Sequence, residues 1–255
     1  MKRLKIPAPE RLIVALDVNS KEEALELVGK LDGVVGFYKV GWQLFIKTGM
    51  EFVGELIDSG KKVFLDLKMG DIEETIRRAL ANLPDGIELL TIHGNGPTVE
   101  AAKLGRNGKE KPKLLMLTAL SSQDTIDIRD MFADSSITRE NYVSWKGKIS
   151  LDAGCEGLIA SGDAVSQLRE EFSDKEFIIV TPGIRPSGFS KDDHKFSMTP
   201  YDAIISGADY LVVGRPITKS SGDSSETAKS IISEIQKALD ELDISNATST
   251  PSTLN

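Results

Sequence analysis

The sequence predicts an α/β protein, a single (β/α)8 TIM barrel with a disordered C-terminal tail. Three observations carry that prediction. Eight apolar, β-rich runs recur through 255 residues, about 32 residues per unit, which matches one strand and one helix of such a barrel. The runs are continuously apolar instead of alternating in and out, as parallel strands buried on both faces require. Stretches with helical spacing of apolar residues lie between them.

The first run, LIVALDV at 12–18, leads into a helix over Ser20–Leu31, where Ser20 stands as N-cap with Glu23 three residues on. FYKVG at 37–41 precedes a helix over Trp42–Ser59, and VFLDLK at 63–68 precedes one over Ile72–Leu83. LLTIH at 89–93 is followed by a helix over Thr98–Gly105. LLMLTAL at 114–120 opens the second half, and the long polar stretch Ser121–Ile149 holds an extra turn or helix before GLIAS at 157–161. FIIVT at 177–181 and YLVVG at 210–214 complete the set. A doubly wound open sheet would use the same alternation, but no Gly-x-Gly-x-x-Gly follows the first run. With no interdomain linker, residues 1–243 read as one catalytic domain. Residues 244–255 read as a low-complexity tail without apolar periodicity.

Composition removes several function classes. Thirty-one basic side chains against 39 acidic ones give a formal charge of −8, which argues against a nucleic-acid surface. The longest apolar runs, Leu12 to Leu16 and Leu114 to Leu117, are too short to span a membrane. Met1 to Lys5 has the charge of a signal-peptide start, yet Ile6-Pro7-Ala8-Pro9-Glu10 follows where an apolar stretch is needed, so no export signal is expected. Cys155 is the single cysteine and His93 and His194 the only histidines, leaving neither an internal disulfide nor a zinc-site spacing. A reducing cytoplasm fits this usage.

Catalytic groups of such a barrel sit at the C-terminal ends of its strands, so the polar residues closing each apolar run become candidates. They are Asp17, Lys39, Asp66, Lys68, Asp71, His93, Ser121, Pro182 and Arg215. The densest set is the octapeptide from Phe64 to Asp71, in which Asp66 and Lys68 share one strand face while Leu65 and Leu67 take the other. Asp66–Lys68 also reads as a structural ion pair, and Asp71 as an N-cap for the helix from Ile72. Core packing does not explain why Asp17 and Lys39 also close apolar runs with a charge. An alternating array of Asp and Lys keeps Lys68 protonated and the carboxylates ionised by mutual attraction. At the far end, Thr181 to Pro186 follows the seventh run and Val213 to Ile217 the eighth, where barrels of this kind commonly hold a phosphate. Gly183 and Gly214 let backbone N–H groups approach closely, and Arg215 offers a bidentate fork.

These residues resemble the orotidine 5′-phosphate decarboxylase family. The resemblance runs from Leu12 to Ile217. It rests on LIVALDV at 12–18, FYKVG at 37–41, FLDLKMGDI at 64–72, VTPGIRP at 180–186 and GADYLVVGRPIT at 207–218. It implies a (β/α)8 homodimer that converts orotidine 5′-phosphate to uridine 5′-phosphate and carbon dioxide without a metal or organic cofactor. It further implies that Lys68 protonates C6 of the pyrimidine, flanked by Asp66 and Asp71, and that Asp71 and Ile72 enter the partner subunit's site. Asp17 and Lys39 then match positions that hold ribose hydroxyls. Ser121 faces the pyrimidine edge, Pro182 lines the pocket, and Gly214 and Arg215 contact the phosphate.

The chain departs from the family pattern after the seventh run, where His194 stands near a glutamine position that touches phosphate. A ring N–H of His194 in that role and a plain surface histidine are both open readings. His93 reads first as a buried hydrogen-bonding residue and second as a substrate contact. Thr125–Lys148 aligns poorly and receives no role. The nearest rival is a metal-dependent sugar-phosphate lyase of the same fold, such as a 3-keto-gulonate 6-phosphate decarboxylase. A non-catalytic phosphate-ligand sensor is the other alternative.

Overall fold

The computed structural model describes residues 4–187, 195–220 and 222–248. Eight strands close into a barrel in sequence order: β1 (Leu12–Ala15), β2 (Phe37–Gly41), β3 (Lys62–Met69), β4 (Ile87–Ile92), β5 (Lys113–Leu117), β6 (Gly157–Ile159), β7 (Ile178–Thr181) and β8 (Tyr210–Val213). Every pairing is parallel, and β1 closes the ring on β8 through Leu12↔Leu211, Ile13↔Val212 and Val14↔Val213. The helices are α1 (Ala8–Arg11), α2 (Lys21–Lys30), α3 (Trp42–Asp58), α4 (Glu73–Ala81), α5 (Gly96–Gly105) and α6 (Thr125–Phe132). They continue with α7 (Arg139–Asp152), α8 (Ala164–Glu171), α9 (Pro200–Ser206), α10 (Arg215–Thr218) and α11 (Ser224–Thr248).

The period of two along each strand sorts its side chains into two cores. Ile13, Ala15, Phe37, Phe64, Leu89, Leu115, Leu117, Ile159, Val180 and Val212 fill the barrel interior. Their neighbours in sequence, such as Val14, Tyr38, Val40, Leu65, Leu90 and Val213, point outward into the layer under the helices. Strands buried on both faces are apolar throughout, which is why the runs show no alternation.

The helix starts follow from side-chain oxygens that take up unpaired N–H groups. Ser20 accepts from the Glu23 amide, as expected, and Asn95 and Thr98 form a reciprocal capping box at α5. The polar stretch after β5 holds two helices. Asp124 and Asp127 form a second capping box at α6, and Thr138 caps α7. The helix expected over 42–59 is broken at Gly49, whose φ of 63° leaves the right-handed region. α11 continues to Thr248, so residues 244–248 of the segment read as a disordered tail are helical. Lengthening an established helix fixes one residue per added hydrogen bond, so it needs no apolar stripe of its own. Residues 249–255 lie outside the described residues. Among the described residues no helix is long and apolar enough to cross a membrane.

Candidate active site

The interior core dictates where the polar groups go. Two residues beyond the inward-facing Ala15, Phe37, Phe64 and Leu89 come Asp17, Lys39, Asp66 and Thr91, so the next layer inside the mouth is charged or hydroxylic. Two residues beyond Val180 and Val212 come Pro182 and Gly214. A cavity of about 540 Å³ opens on this layer, within the size range of small-ligand sites. Asp17, Lys39, Asp66, Lys68, Ser121, Pro182, Gly214 and Arg215 all line it, and an Asp17 carboxylate oxygen stands 3.9 Å from where a Cβ on Gly214 would lie.

Asp17, Lys39, Asp66 and Lys68 form a connected row. Lys39 Nζ lies 3.0 Å from Asp17 Oδ1 and 3.6 Å from Asp66 Oδ2. Lys68 Nζ donates to Asp66 Oδ1 at 2.8 Å, and the Thr91 hydroxyl donates to the same oxygen at 2.7 Å. Burial pushes the Asp66 carboxyl up, but the Lys39 and Lys68 ammonium groups and the hydrogen bonds from Lys68 and Thr91 outweigh it, so its pKa falls below the usual value. The sign follows: a carboxylate depressed on folding stabilises above its unfolded pKa of about 4 and loses that contribution as pH falls through the folded value. Thermal unfolding is therefore expected to show the gap between the parent and Asp66→Asn narrowing from pH 7 towards pH 3. A gap unchanged over that range would contradict the row as an ionised network.

Lys68 stands on a distorted piece of backbone. Leu65 pairs with Leu90 but Met69 pairs with Ile92, so β3 carries two extra residues against β4. Lys68 adopts φ of 48°, a left-handed conformation that costs a side-chain-bearing residue about 1–2 kcal/mol. The same distortion turns its ammonium onto Asp66 at the cavity wall.

Asp71 and Ile72 do not join the row. Both are exposed, neither lines the cavity, and Asp71 Oδ1 accepts from the Ile72 amide at 2.7 Å. The N-cap alternative for Asp71 is overturned, because α4 starts at Glu73 with Ile72 at the cap position and no side-chain cap bond. Their loop leans on the end of β4. The His93 amide donates to the Met69 carbonyl at 2.9 Å, and a Cβ on Gly70 would lie 2.5 Å from the His93 carbonyl oxygen. Gly70→Ala is thus expected to push the Asp71 loop off β4, costing about 1–3 kcal/mol of stability by overpacking and lowering activity. Unchanged melting temperature and turnover would contradict that seating. His93 is exposed at the mouth, not buried as expected, because its side chain is the step beyond Thr91, past the last covered layer. His194 lies outside the described residues.

Several cavity residues were not singled out from sequence. Thr91 closes on Asp66 although it sits inside an apolar run, and stepping by two from Leu89 would have found it. Asn19 and Gln43, joined by a 3.1 Å hydrogen bond, line the cavity, as do Arg185 and Lys219. Among the described residues no group of three or more His, Cys, Asp or Glu side chains is placed to hold a metal ion.

Comparison with known proteins places the chain in a family. Residues 10–231 match the model of the Orotidine 5′-phosphate decarboxylase / HUMPS family. An orotidine 5′-phosphate decarboxylase of Nitrobacter winogradskyi is 43% identical over 233 residues, covering 91% of this chain and 95% of that protein. One from Rhodopseudomonas palustris is 40% identical over 230 residues, covering 90% of this chain and 96% of its own. The crystal structure of orotidine 5′-phosphate decarboxylase from Lactobacillus acidophilus superposes with a TM-score of 0.76 at 33% identity, covering 89% of this chain and 99% of that one. Similarity of this depth runs from before β1 into α11. It makes the chain a member of the orotidine 5′-phosphate decarboxylase / HUMPS family.

Proposed function

We propose that the chain decarboxylates orotidine 5′-phosphate to uridine 5′-phosphate and carbon dioxide, the closing step of UMP synthesis, with Lys68 as the proton donor. The observation that carries this reading is the Lys68 ammonium at the cavity wall, 2.8 Å from Asp66 and in a row with Lys39 and Asp17. When the C6–carboxylate bond breaks, its electron pair stays on C6 and carbon dioxide leaves. The Lys68 proton then moves to C6, leaving an amine that regains a proton from solvent. An ammonium beside the developing carbanion stabilises the transition state more than the ground state. Asp66, whose pKa is depressed, stays anionic near pH 7 and holds the ammonium in place.

The remaining roles follow the cavity from end to end. Asp17 and Lys39 bind the ribose hydroxyls, Ser121 meets the pyrimidine edge, and Pro182 walls the ring. Gly214 and Arg215 take the phosphate. Asp71 completes the site as a second carboxylate flanking Lys68, delivered with Ile72 from a second copy of the chain. The outward position of Asp71 and the 68% exposure of Ile72 support a two-fold dimer in which these residues cross over.

The metal-dependent sugar-phosphate lyase gains nothing from the relatives named above. Asp66, the carboxylate such a site would need, already faces two ammonium groups and a hydroxyl. Incubating chelator-treated protein with orotidine 5′-phosphate tests the reading. Equimolar uridine 5′-phosphate and carbon dioxide are expected at an undiminished rate. Turnover that needs added magnesium, or none at all, would overturn it.

A further inference from the structure

We propose that Thr91 is a positioning residue for the decarboxylation, its hydroxyl fixing the Asp66 carboxylate and, through it, the Lys68 ammonium. The inference rests on the reading above that Lys68 delivers the proton. Its first support is the register of two strands. Leu65 pairs with Leu90 and Met69 with Ile92, so between those pairs β4 supplies one residue, Thr91, against Asp66, Leu67 and Lys68 of β3. The ladder is disrupted across such a bulge, and Lys68 within it takes the left-handed φ of 48°. Across that gap the strands are joined by a side-chain contact, the Thr91 hydroxyl donating to Asp66 Oδ1 at 2.7 Å.

The second support is the contrast among the three groups that face the carboxylate. Lys39 Nζ stands 3.6 Å from Oδ2, beyond hydrogen-bond range, so it attracts the carboxylate without fixing its plane. Lys68 Nζ donates to Oδ1 at 2.8 Å, but from the end of a flexible four-carbon stem. Thr91 is 0% exposed and stands between Leu90 and Ile92, which are fully buried as well. Its β-branched side chain is stiff at χ1. A hydroxyl buried there is costly unless paired, and Asp66 is its acceptor. Thr91 is therefore the rigid member of the set. It fixes the plane of Asp66, and that plane fixes where the Lys68 ammonium stands when the pyrimidine carbon takes its proton. Being fully buried, Thr91 acts through Asp66 and not on the substrate itself. Placement matters at this point, since an error of about 1 Å in a reacting group can cost about 100-fold in rate.

Single turnovers of orotidine 5′-phosphate with enzyme in excess, set beside calorimetric titration with uridine 5′-phosphate, test the assignment. Thr91→Val keeps the shape of the side chain and removes the hydroxyl. It is expected to slow the chemical step about tenfold or more while affinity for uridine 5′-phosphate stays within about twofold of the parent's. Thr91→Ser returns the hydroxyl and is expected to recover most of the rate. A side chain that only filled space would neither separate rate from affinity nor be replaced by the smaller serine. Where valine prevents folding, Thr91→Ala carries the same expectation. If the variants without a hydroxyl turn over as the parent does while Lys68→Ala is inactive, the Thr91 inference is wrong and the Lys68 reading stands. If Lys68→Ala turns over as the parent does, the proton donor itself has been misread, and the inference falls with it. A loss of rate matched by an equal loss of affinity, or one that serine does not repair, would also overturn it.

Discussion

Lys68→Ala and Asp71→Ala proteins, each close to inactive alone, are expected to recover about a quarter of the parental activity when mixed equally and allowed to exchange subunits, by random pairing in a two-fold dimer. Half the dimers are then mixed. In each of these one site receives both defects and the other receives neither. Within one chain Lys68 lies on the cavity wall, bound to Asp66, whereas Asp71 is exposed, off that wall, and accepts a hydrogen bond from the Ile72 amide. In the proposed site Asp66 flanks Lys68 from its own chain, and Asp71, the second carboxylate, comes from another copy. Activity of the mixture, with subunit exchange verified by a mass tag, is the readout. No recovery despite exchange would place Asp71 in its own chain's site and remove the shared-site account.

Lys68→Ala by itself is expected to lower turnover by more than about 10⁴-fold, since it removes both the proton donor and the cation facing the developing carbanion. Alanine takes the same φ of 48° at the same cost as lysine, so the backbone is not the reason for the loss. Asp66 keeps Lys39 at 3.6 Å and the Thr91 hydroxyl at 2.7 Å, which leaves the carboxylate partnered and the fold intact. Uridine 5′-phosphate should still bind, because the phosphate end is untouched. Lys68→Arg separates the two roles: a guanidinium supplies charge but does not give up a proton, so it should stay inactive. Substantial activity in the arginine variant would mean that charge alone suffices.

Much of this was open to reading from the chain. The first three apolar runs carry charges that cannot be buried without a partner, so Asp17, Lys39, Asp66 and Lys68 announce a polar layer above an apolar barrel. The order of strands follows from local connections in a right-handed barrel. What escaped depends on contacts between distant segments. Thr91 looks like one polar residue in an apolar run until Asp66 from the neighbouring strand is set beside it. The exposure of His93 and the outward turn of Asp71 depend on how the loops after β3 and β4 stack at Gly70, which no local pattern encodes. The helices between β5 and β6 left their signals in Asp124, Asp127 and Thr138, caps that a search for apolar periodicity passes over. Residues 244–248 read as tail because they lack an apolar stripe, although α11 runs on through them.

In the proposed reaction Lys68, held by Asp66, protonates the carbon that carbon dioxide leaves. The most direct measurement follows the ultraviolet absorbance of orotidine 5′-phosphate mixed with chelator-treated parent protein and, side by side, with Lys68→Ala of matched folding. Rapid conversion by the parent and a flat trace for the variant are expected. A parent trace that stays flat, or that moves only when magnesium and a keto-sugar phosphate are supplied, would contradict it and recast Asp66 and Asp71 as metal or sugar ligands.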